Sequence, residues 1–523
     1  MPRTFAQRIE KPLNTAARRR RAQRRGLPRS HPRTRITAPM ARYIGTAAIL
    51  LGAAELLPLA VLPFYPQEQA FAPCFVFPAL VTMAAGYLLR ITRGQGSGFS
   101  QLESGEAAAC TLLVWVGAIA AYAAPLVLCG ALNPVQAAFE ATSGLTTTGL
   151  SIVDPDSQPH IILMFRSLMH YLGGVGLVLV LTCLVSRSGG LKAYNLEGHT
   201  YKVVPGSSAR TARAILLAYT GIIVLGALAL WVAGTAPFDA LNIAISATST
   251  GGFATHSSSI AYYDSATVEA VCVVLMLLGA TNFLLIFMLM RGRLRAFLSH
   301  VETAVLAGIV TAAAVAIAAL FVLDGVYPGW AEALRHSLFQ VVAVISSAGL
   351  QTIPSYAGLA PSVLFIFVAL MFVGGEAGST SGGMKVYRVA LAARGLYWEL
   401  RERYGGGRRV FSCKVNRFGK RTACTEDELR GVEAFVVVYV LIFVVGSFAF
   451  TLCGASVQDA VFDFASCLGN TGVGIGFVSA SSSPAVLCVG IAGMVLGRLE
   501  IVTVAVGLWS LALGLERGAD YER

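Results

Sequence analysis

Charge is scarce in this sequence. Only 13% of its 523 residues are Asp, Glu, Lys or Arg, against 55% hydrophobic, and the mean hydropathy is +0.67. So little charge cannot clothe a soluble chain of this length, and the composition implies a polytopic membrane protein. Cysteine is sparse too: ten residues, none in Cys-x-x-Cys spacing, which argues against a disulfide framework or a zinc site. Cys413 and Cys424 share a basic loop expected in the cytoplasm, where thiols stay reduced. The seven histidines lack ligand-like spacing, and His170, one helical turn after Arg166, reads with it as polar packing near a helix end. Glu55, Glu376 and His170 make no nucleophile–base or metal-ligand set, so nothing here argues for an enzyme. The net charge of +12 is local: residues 1–40 hold twelve Arg/Lys and one acid, a net +11. That arm reads as a retained cytoplasmic tail that enforces orientation; no nucleic acid is expected as a partner.

What the chain has in abundance is long apolar runs. Ten are long enough to span a bilayer, at about 20 residues each: 41–64, 71–91, 107–131, 161–185, 213–233, 266–290, 301–323, 362–393, 433–453 and 484–514. With the tail inside, the inner loops carry Arg90, Arg187, Lys192, Arg291, Arg293, Arg295, Arg388 and the dense 401–430 loop. The outer segments carry Glu68, Asp154, Asp156, Asp264, Glu269 and Asp324, with Arg335 the basic exception. This agrees with a positive-inside orientation and puts both termini in the cytoplasm. In the 400–430 loop, Val410–Val415 is expected to pair with a strand after Gly419, and Thr425 to cap the helix that follows.

Four segments between spans fall into one register. They read Ser143-Gly-Leu-Thr-Thr-Thr-Gly149, Ser246-Ala-Thr-Ser-Thr-Gly-Gly252, Ala343-Val-Ile-Ser-Ser-Ala-Gly349 and Ser466-Cys-Leu-Gly-Asn-Thr-Gly472. Phe139, Asn242, Phe339 and Phe462 lie ten residues before the glycines, and Gly173, Gly279, Gly374 and Gly497 lie 24–27 after. Each segment follows a short amphipathic stretch, such as Pro134–Leu145 or Val457–Gly469, too short to cross the membrane and expected to form a re-entrant half-helix. The fold expected is all-α and polytopic, with four parallel membrane–pore-loop–membrane repeats around one pore plus two extra N-terminal transmembrane helices. The domains follow: 1–40 a basic cytoplasmic tail, 41–92 the two extra helices, 105–190 and 210–292 the first two repeats, 299–400 the third, 401–430 a cytoplasmic loop and 431–515 the fourth.

A cation leaving water needs replacement oxygens, and backbone carbonyls of four short glycine-containing loops can supply them. The candidate filter is Thr147, Thr148 and Gly149; Thr250, Gly251 and Gly252; Ser347, Ala348 and Gly349; and Asn470, Thr471 and Gly472. In the third repeat, so many glycines and hydroxyls at mid-membrane should break the helix. Gly374, Gly375, Glu376, Gly378, Ser379, Thr380, Gly382 and Gly383, with Lys385 at the end, form a candidate intramembrane gate loop at 374–384. Arg498 lies well inside the tenth span, where its repeat equivalents are Gly174, Ala280 and Gly375. It is expected to carry a charge in the pore below the filter, or to pair with Glu376, because an arginine in hydrocarbon requires water or a partner.

These motifs resemble the Trk/Ktr/HKT superfamily of potassium transporters, and its TrkH branch in particular. The resemblance covers residues 41–515 and rests on Thr-Thr-Thr-Gly149, Thr250-Gly-Gly-Phe253, Asn470-Thr-Gly472, Gly374–Lys385 and Leu496-Gly-Arg-Leu-Glu500. It implies potassium uptake across the bacterial plasma membrane through one pore per subunit, with bound and transported K+, no nucleotide on this chain, a homodimer in membrane lipid, and a cytosolic TrkA-type nucleotide-binding ring as partner. Glycine in all four loops goes, in this superfamily, with potassium over sodium. Three positions depart from the family's pattern: Glu376 for a small residue or cysteine, Val473 for proline, and Ser347-Ala348 for a hydroxyl beside the glycine. The alternatives are the potassium-binding subunit of a pump, or a K+/Na+ or K+/H+ symporter.

Overall fold

The structure, a computed structural model, describes residues 37–93, 104–176, 208–404 and 414–519. The basic arm up to residue 36, the end of the fourth expected span with the inner loop after it, and residues 405–413 lie outside these. Chain contacts divide the protein into Ala38–Ser510 and a second unit of Met1–Thr37 with Leu511–Arg523. Of the second unit, only Thr37 and residues 511–519, the end of a helix, are described.

The main unit is built almost wholly of helices. It opens with α1 (Ala38–Glu55) and α2 (Ala72–Arg93), joined by two 3₁₀ turns. Four groups of helices then recur with similar order. The first is α3 (Ser104–Leu128), α4 (Pro134–Leu145) and α5 (His160–Val175); the second is α6 (Ser208–Val232), α7 (Pro237–Ser249), α8 (Ala266–Gly279) and α9 (Phe283–Met290). After the short α10 (Leu294–Leu298) come α11 (Val301–Leu323), α12 (Trp330–Ile345), α13 (Pro361–Val373) and α14 (Val386–Tyr404). The last group is α15 (Glu426–Leu452), α16 (Val457–Gly469), α17 (Pro484–Arg498) and α18 (Ile501–Ala519).

Local chemistry sets where the short helices begin. Asn133 caps α4 in a reciprocal capping box with Gln136, and Pro134 occupies the first turn, where its missing N–H costs nothing. Ser456 caps α16 through Asp459 N–H, and Glu68 caps α5 by accepting the N–H groups of His160 and Ile161, both at 2.9 Å. At 12 to 16 residues, α4, α7, α12 and α16 rise at most about 24 Å, less than a bilayer core. Their C-terminal halves are buried on every side, as at Phe139–Leu145 and Phe462–Gly469, which marks them as interior helices. The long helices instead show apolar side chains outward, such as Leu225 on α6 and Leu441 on α15, as a lipid-facing surface requires.

Among the described residues, six helices are continuous, apolar and long enough to span, and two further helix pairs are apolar enough together but sharply bent between their halves. Here the structure departs from the unbroken runs expected at 266–290 and 484–514. The chain turns by 112° between α8 and α9 and by 105° between α17 and Ile501–Ala512. Both breaks have tertiary causes. Asn282 leaves the helix to cap α9 and gives its N–H to the Glu376 carboxylate at 2.9 Å. Glu500 adopts a left-handed φ of 57° and binds Arg388 at 2.9 Å. The 362–393 run is likewise two helices, α13 and α14, parted by 374–385.

The hairpin expected in the 400–430 loop is present in its described part, with the strand partner starting directly after Gly419; residues 410–413 of the expected first strand lie outside the described residues. The strands are β1 (Lys414–Arg417) and β2 (Lys420–Ala423), antiparallel, turning through Phe418 and Gly419 at positive φ. Thr425 caps α15, as its spacing predicts, by accepting from Glu428 N–H at 3.3 Å.

Candidate functional site

The four short buried helices all end in one way. In each, the residue two before the loop glycine takes a left-handed φ: Thr147 at 52°, Thr250 at 56°, Ser347 at 57° and Asn470 at 51°. The next N–H then reaches back five residues, Thr148 to Ser143 O, Gly251 to Ser246 O, Ala348 to Ala343 O and Thr471 to Ser466 O, at 2.8–2.9 Å. This is the Schellman arrangement, usually built on glycine or asparagine. At three of the four, threonine or serine holds it at a cost of about 1–2 kcal/mol per residue, so the surroundings must impose it there.

The loop glycines return at φ of 81°, 93°, 65° and 81° for Gly149, Gly252, Gly349 and Gly472. Each lies against the next loop. A Cβ on Gly149 would meet Gly251 O, one on Gly252 Ala348 O, one on Gly349 Thr471 O, and one on Gly472 Thr148 O, all closer than the 3.0 Å that real Cβ atoms keep. The contacts run from first loop to second, third, fourth and back to first, so the loops close a ring. A vestibule of about 380 Å³ opens over it, lined by all four glycines together with Asp154, Arg166, Phe253 and Gln351. Among the described residues no group of three or more His, Cys, Asp or Glu is placed to hold a metal ion. An ion in the ring would therefore meet backbone and hydroxyl oxygens, with four helix C-termini adding partial negative charge.

Arg166 and His170 do more than the helix-end packing expected of them. Arg166 forms a buried pair with Glu140 at 2.9 Å, donates to Ser151 Oγ at 2.7 Å and covers the Phe253 ring at 4.0 Å. His170 bonds Gly144 O at 2.9 Å and accepts from Phe253 N–H at 3.1 Å. Both tie the first loop region to the second. Their i, i+4 spacing facing the repeated segments was the signal the sequence offered.

Beneath the ring, residues 374–385 fold into a compact, hydrogen-bonded segment. Glu376 N–H donates to Ala280 O at 2.9 Å and Thr380 N–H to Gly279 O at 3.0 Å, which docks it into the α8–α9 break. Thr380 Oγ1 shares its one hydrogen between Gly279 O at 2.9 Å and Thr248 O at 3.2 Å and accepts from Thr250 Oγ1 at 3.1 Å, while Gly382 N–H donates to Ser347 Oγ at 2.6 Å. The segment thus touches the second and third loops directly. From below, Thr303 donates to Glu376 at 2.6 Å, and Glu302 accepts from Ala377 N–H at 2.6 Å. Neither α11 residue stood out in the sequence, where two polar positions opening an apolar run look like a helix start.

Arg498 makes different bonds from the Glu376 pairing that the sequence offered. Its guanidinium donates to Thr380 O at 2.6 Å, to Gly173 O, and to Gly174 O at 3.3 Å. It therefore spans from the 374–385 segment to the end of α5. Lys385 Nζ donates to Ser381 O, and Arg388 pairs with Glu500. The sequence-predicted residues thus form two groups, a ring of loops and a layer under it that carries Arg498 and Lys385.

Comparison with known proteins gives this architecture a family. The TrkH family model, described as a cation transport protein, matches residues 110–306 and 310–511. The Trk system potassium uptake protein TrkH of Salmonella typhimurium is 32% identical over 488 residues, spanning 89% of this chain and 97% of its own. The Trk system potassium uptake protein TrkI of Halomonas elongata is 30% identical over 487 residues, spanning 90% and 95%. The crystal structure of the potassium transporter TrkH from Vibrio parahaemolyticus superposes with a TM-score of 0.79 at 26% identity, covering 90% of this chain and 98% of that one. With most of its length matched by the family model and near full-length relatives at 30% identity or more, this multi-pass membrane protein belongs to the TrkH family of cation transport proteins.

Proposed function

We propose that this protein carries potassium into the cell through a channel-like pore whose selectivity filter is the ring of four loops. The observation that carries the proposal is the ring's closure: four unlike sequences adopt one backbone geometry and abut in a cycle. Equivalent carbonyls around one axis can replace an ion's hydration shell without a formal charge. The relatives' shared name, potassium uptake protein, supports K+ as the cargo, and they are transporters, not enzymes.

Residues 374–385 act as the gate in this proposal. They lie directly under the second and third loops and are held by bonds that can be broken one at a time. Arg498 places a fixed positive charge under the filter and at the same time anchors the gate through Thr380 O. An arginine there costs about 2.5–3.5 kcal/mol on insertion scales, which its bonds to main-chain carbonyls offset. The chain works as a homodimer in the bacterial plasma membrane, both termini cytoplasmic, and a cytosolic TrkA-type nucleotide-binding ring controls the gate.

Growth of a potassium-transporter-deficient bacterium at limiting K+ tests this function. The chain should restore growth, more strongly when co-expressed with a TrkA-type partner. Membrane-inserted protein that restores none in either background refutes it.

A further inference from the structure

Nine residues before each loop glycine stand Glu140, Ile243, Gln340 and Asp463. Three of the four are polar, although all three are fully buried. A buried carboxylate or amide needs partners, and these find equivalent ones. Glu140 accepts from Ile152 N–H at 3.1 Å, and Asp463 from Ile475 N–H at 2.9 Å. Gln340, with its amide turned as its neighbours' donors and acceptors require, accepts from Thr352 N–H at 2.7 Å. Ile152, Thr352 and Ile475 each lie three residues beyond their glycine. The helix that enters each loop thereby fastens the chain that leaves it.

Each clamp has a second grip. Glu140 takes the Ser151 hydroxyl at 2.8 Å, Asp463 takes Val478 N–H at 3.1 Å, and Gln340 donates to the Tyr356 hydroxyl at 2.5 Å. The second loop is the exception, because Ile243 can accept nothing. Its support comes from a neighbouring helix: His170 Nε2 accepts from Phe253 N–H, one residue beyond Gly252. That bond leaves Nδ1 carrying the hydrogen it donates to Gly144 O.

We propose that Glu140, Gln340 and Asp463, with His170 serving the second loop, are positioning residues that set ion selectivity by fixing the exit of each filter loop. This rests on the loops being the filter. A carbonyl cage that selects by size favours the larger ion where its walls resist closing on the smaller one, and a clamp on the outgoing strand limits that closure. Charge-assisted bonds from the two carboxylates make the first and fourth clamps the stronger ones.

Gln340 gives the cleanest test, because it has no buried counter-ion to orphan. Gln340→Met removes the acceptor at similar length, whereas Gln340→Glu keeps an acceptor and copies the first loop's residue. Full-length protein in liposomes is read for the K+/Na+ flux ratio and for hydrogen exchange across 350–356. Gln340→Met should lower the ratio about five- to tenfold, the worth of roughly one net hydrogen bond, and speed exchange at Thr352, while Gln340→Glu recovers most of both. If Gln340→Met does not fold, Asp463→Leu is read the same way across 473–479. A folded Gln340→Met or Asp463→Leu protein with the unmodified flux ratio overturns the proposal. Equal K+ and Na+ flux in the unmodified protein removes the filter reading instead, whereas unchanged Thr352 exchange in Gln340→Met removes the clamp.

Discussion

Four chemically different sequences make one backbone shape in the ring of loops, while directly beneath it the second helices of the groups break in unlike ways. Thr147, Thr250, Ser347 and Asn470 share a φ within six degrees and the same reach-back bond. Below them, α8 kinks at Asn282, α13 gives way to a long glycine-rich segment, and α17 stops at Leu499–Glu500. A filter needs several equal ligands, so every repeat must keep the geometry even where its side chains have drifted. A gate needs one movable part, so one repeat can carry it while the others serve as its seat. Under the proposed function, this contrast assigns selectivity to backbone shared fourfold and gating to side-chain bonds made once.

The contrast predicts its largest effect where a side chain enters the shared backbone. Gly149→Ser and Gly252→Ser put a Cβ at φ of 81° and 93° against a neighbouring carbonyl. Left-handed strain alone costs about 1–2 kcal/mol, and the carbonyl must also move. The K+/Na+ flux ratio in liposomes should fall by at least about tenfold. An unchanged ratio in both variants breaks the first half of the comparison.

Next comes removal of Gly378–Ser381 from the segment below. Thr380 then no longer bonds Thr248, Gly279 and Thr250, and two or three net hydrogen bonds at about 1 kcal/mol each are lost. Basal flux without the cytosolic partner should rise about tenfold or more while the K+/Na+ ratio holds. A correctly inserted deletion with the closed-state flux of the unmodified protein rules these residues out as the gate. Arg498→Ala should act in the same direction but less. A unit charge about 10 Å from an ion opposes it by roughly 0.4–1.7 kcal/mol between the dielectric of water and that of a protein surface, so flux should rise about two- to seventeenfold. Arg498→Lys keeps the charge and should keep most of the barrier. Equal flux gains in both variants would show that the carbonyl bonds, not the charge, matter.

The ring was more legible in the sequence than the layer below it, for a physical reason. Half-helices at Pro134–Leu145 and Val457–Gly469 announce themselves through a cap and a first-turn proline or acid, which are local signals. The break after Gly279 carries a local mark only in Asn282, whose side chain caps α9, and the break after Arg498 carries none; both are held by Glu376 and Arg388 from elsewhere in the chain. Apolar composition alone therefore joins α8 to α9 and α17 to α18. Arg498 shows the same limit. Among charges, Glu376 is a visible partner, whereas the acceptors found, carbonyls of Gly173, Gly174 and Thr380, have no mark in a sequence. The buried polar residues at Glu140, Gln340 and Asp463 were within reach of the same register that aligned the glycines.

The smallest effect separates the two regions most sharply. Thr303, in the first turn of α11, donates to Glu376 at 2.6 Å and touches no loop of the ring through that bond. Thr303→Val keeps the shape and removes only the hydroxyl. Glu376 retains Asn282 N–H at 2.9 Å, so the segment stays docked at the α8–α9 break and loses one of its ties from below. One net hydrogen bond is worth about 0.5–1.5 kcal/mol, which bounds the rise in basal flux at about two- to twelvefold, and the remaining Glu302 bond to Ala377 N–H should keep it near the low end. The K+/Na+ ratio should not move. Flux and selectivity measured on the same liposomes decide the matter: higher flux at constant ratio fits a gate separable from its filter. A shifted ratio would mean that the layer below reshapes the ring through Thr380 and Gly382, making the two regions one mechanical unit.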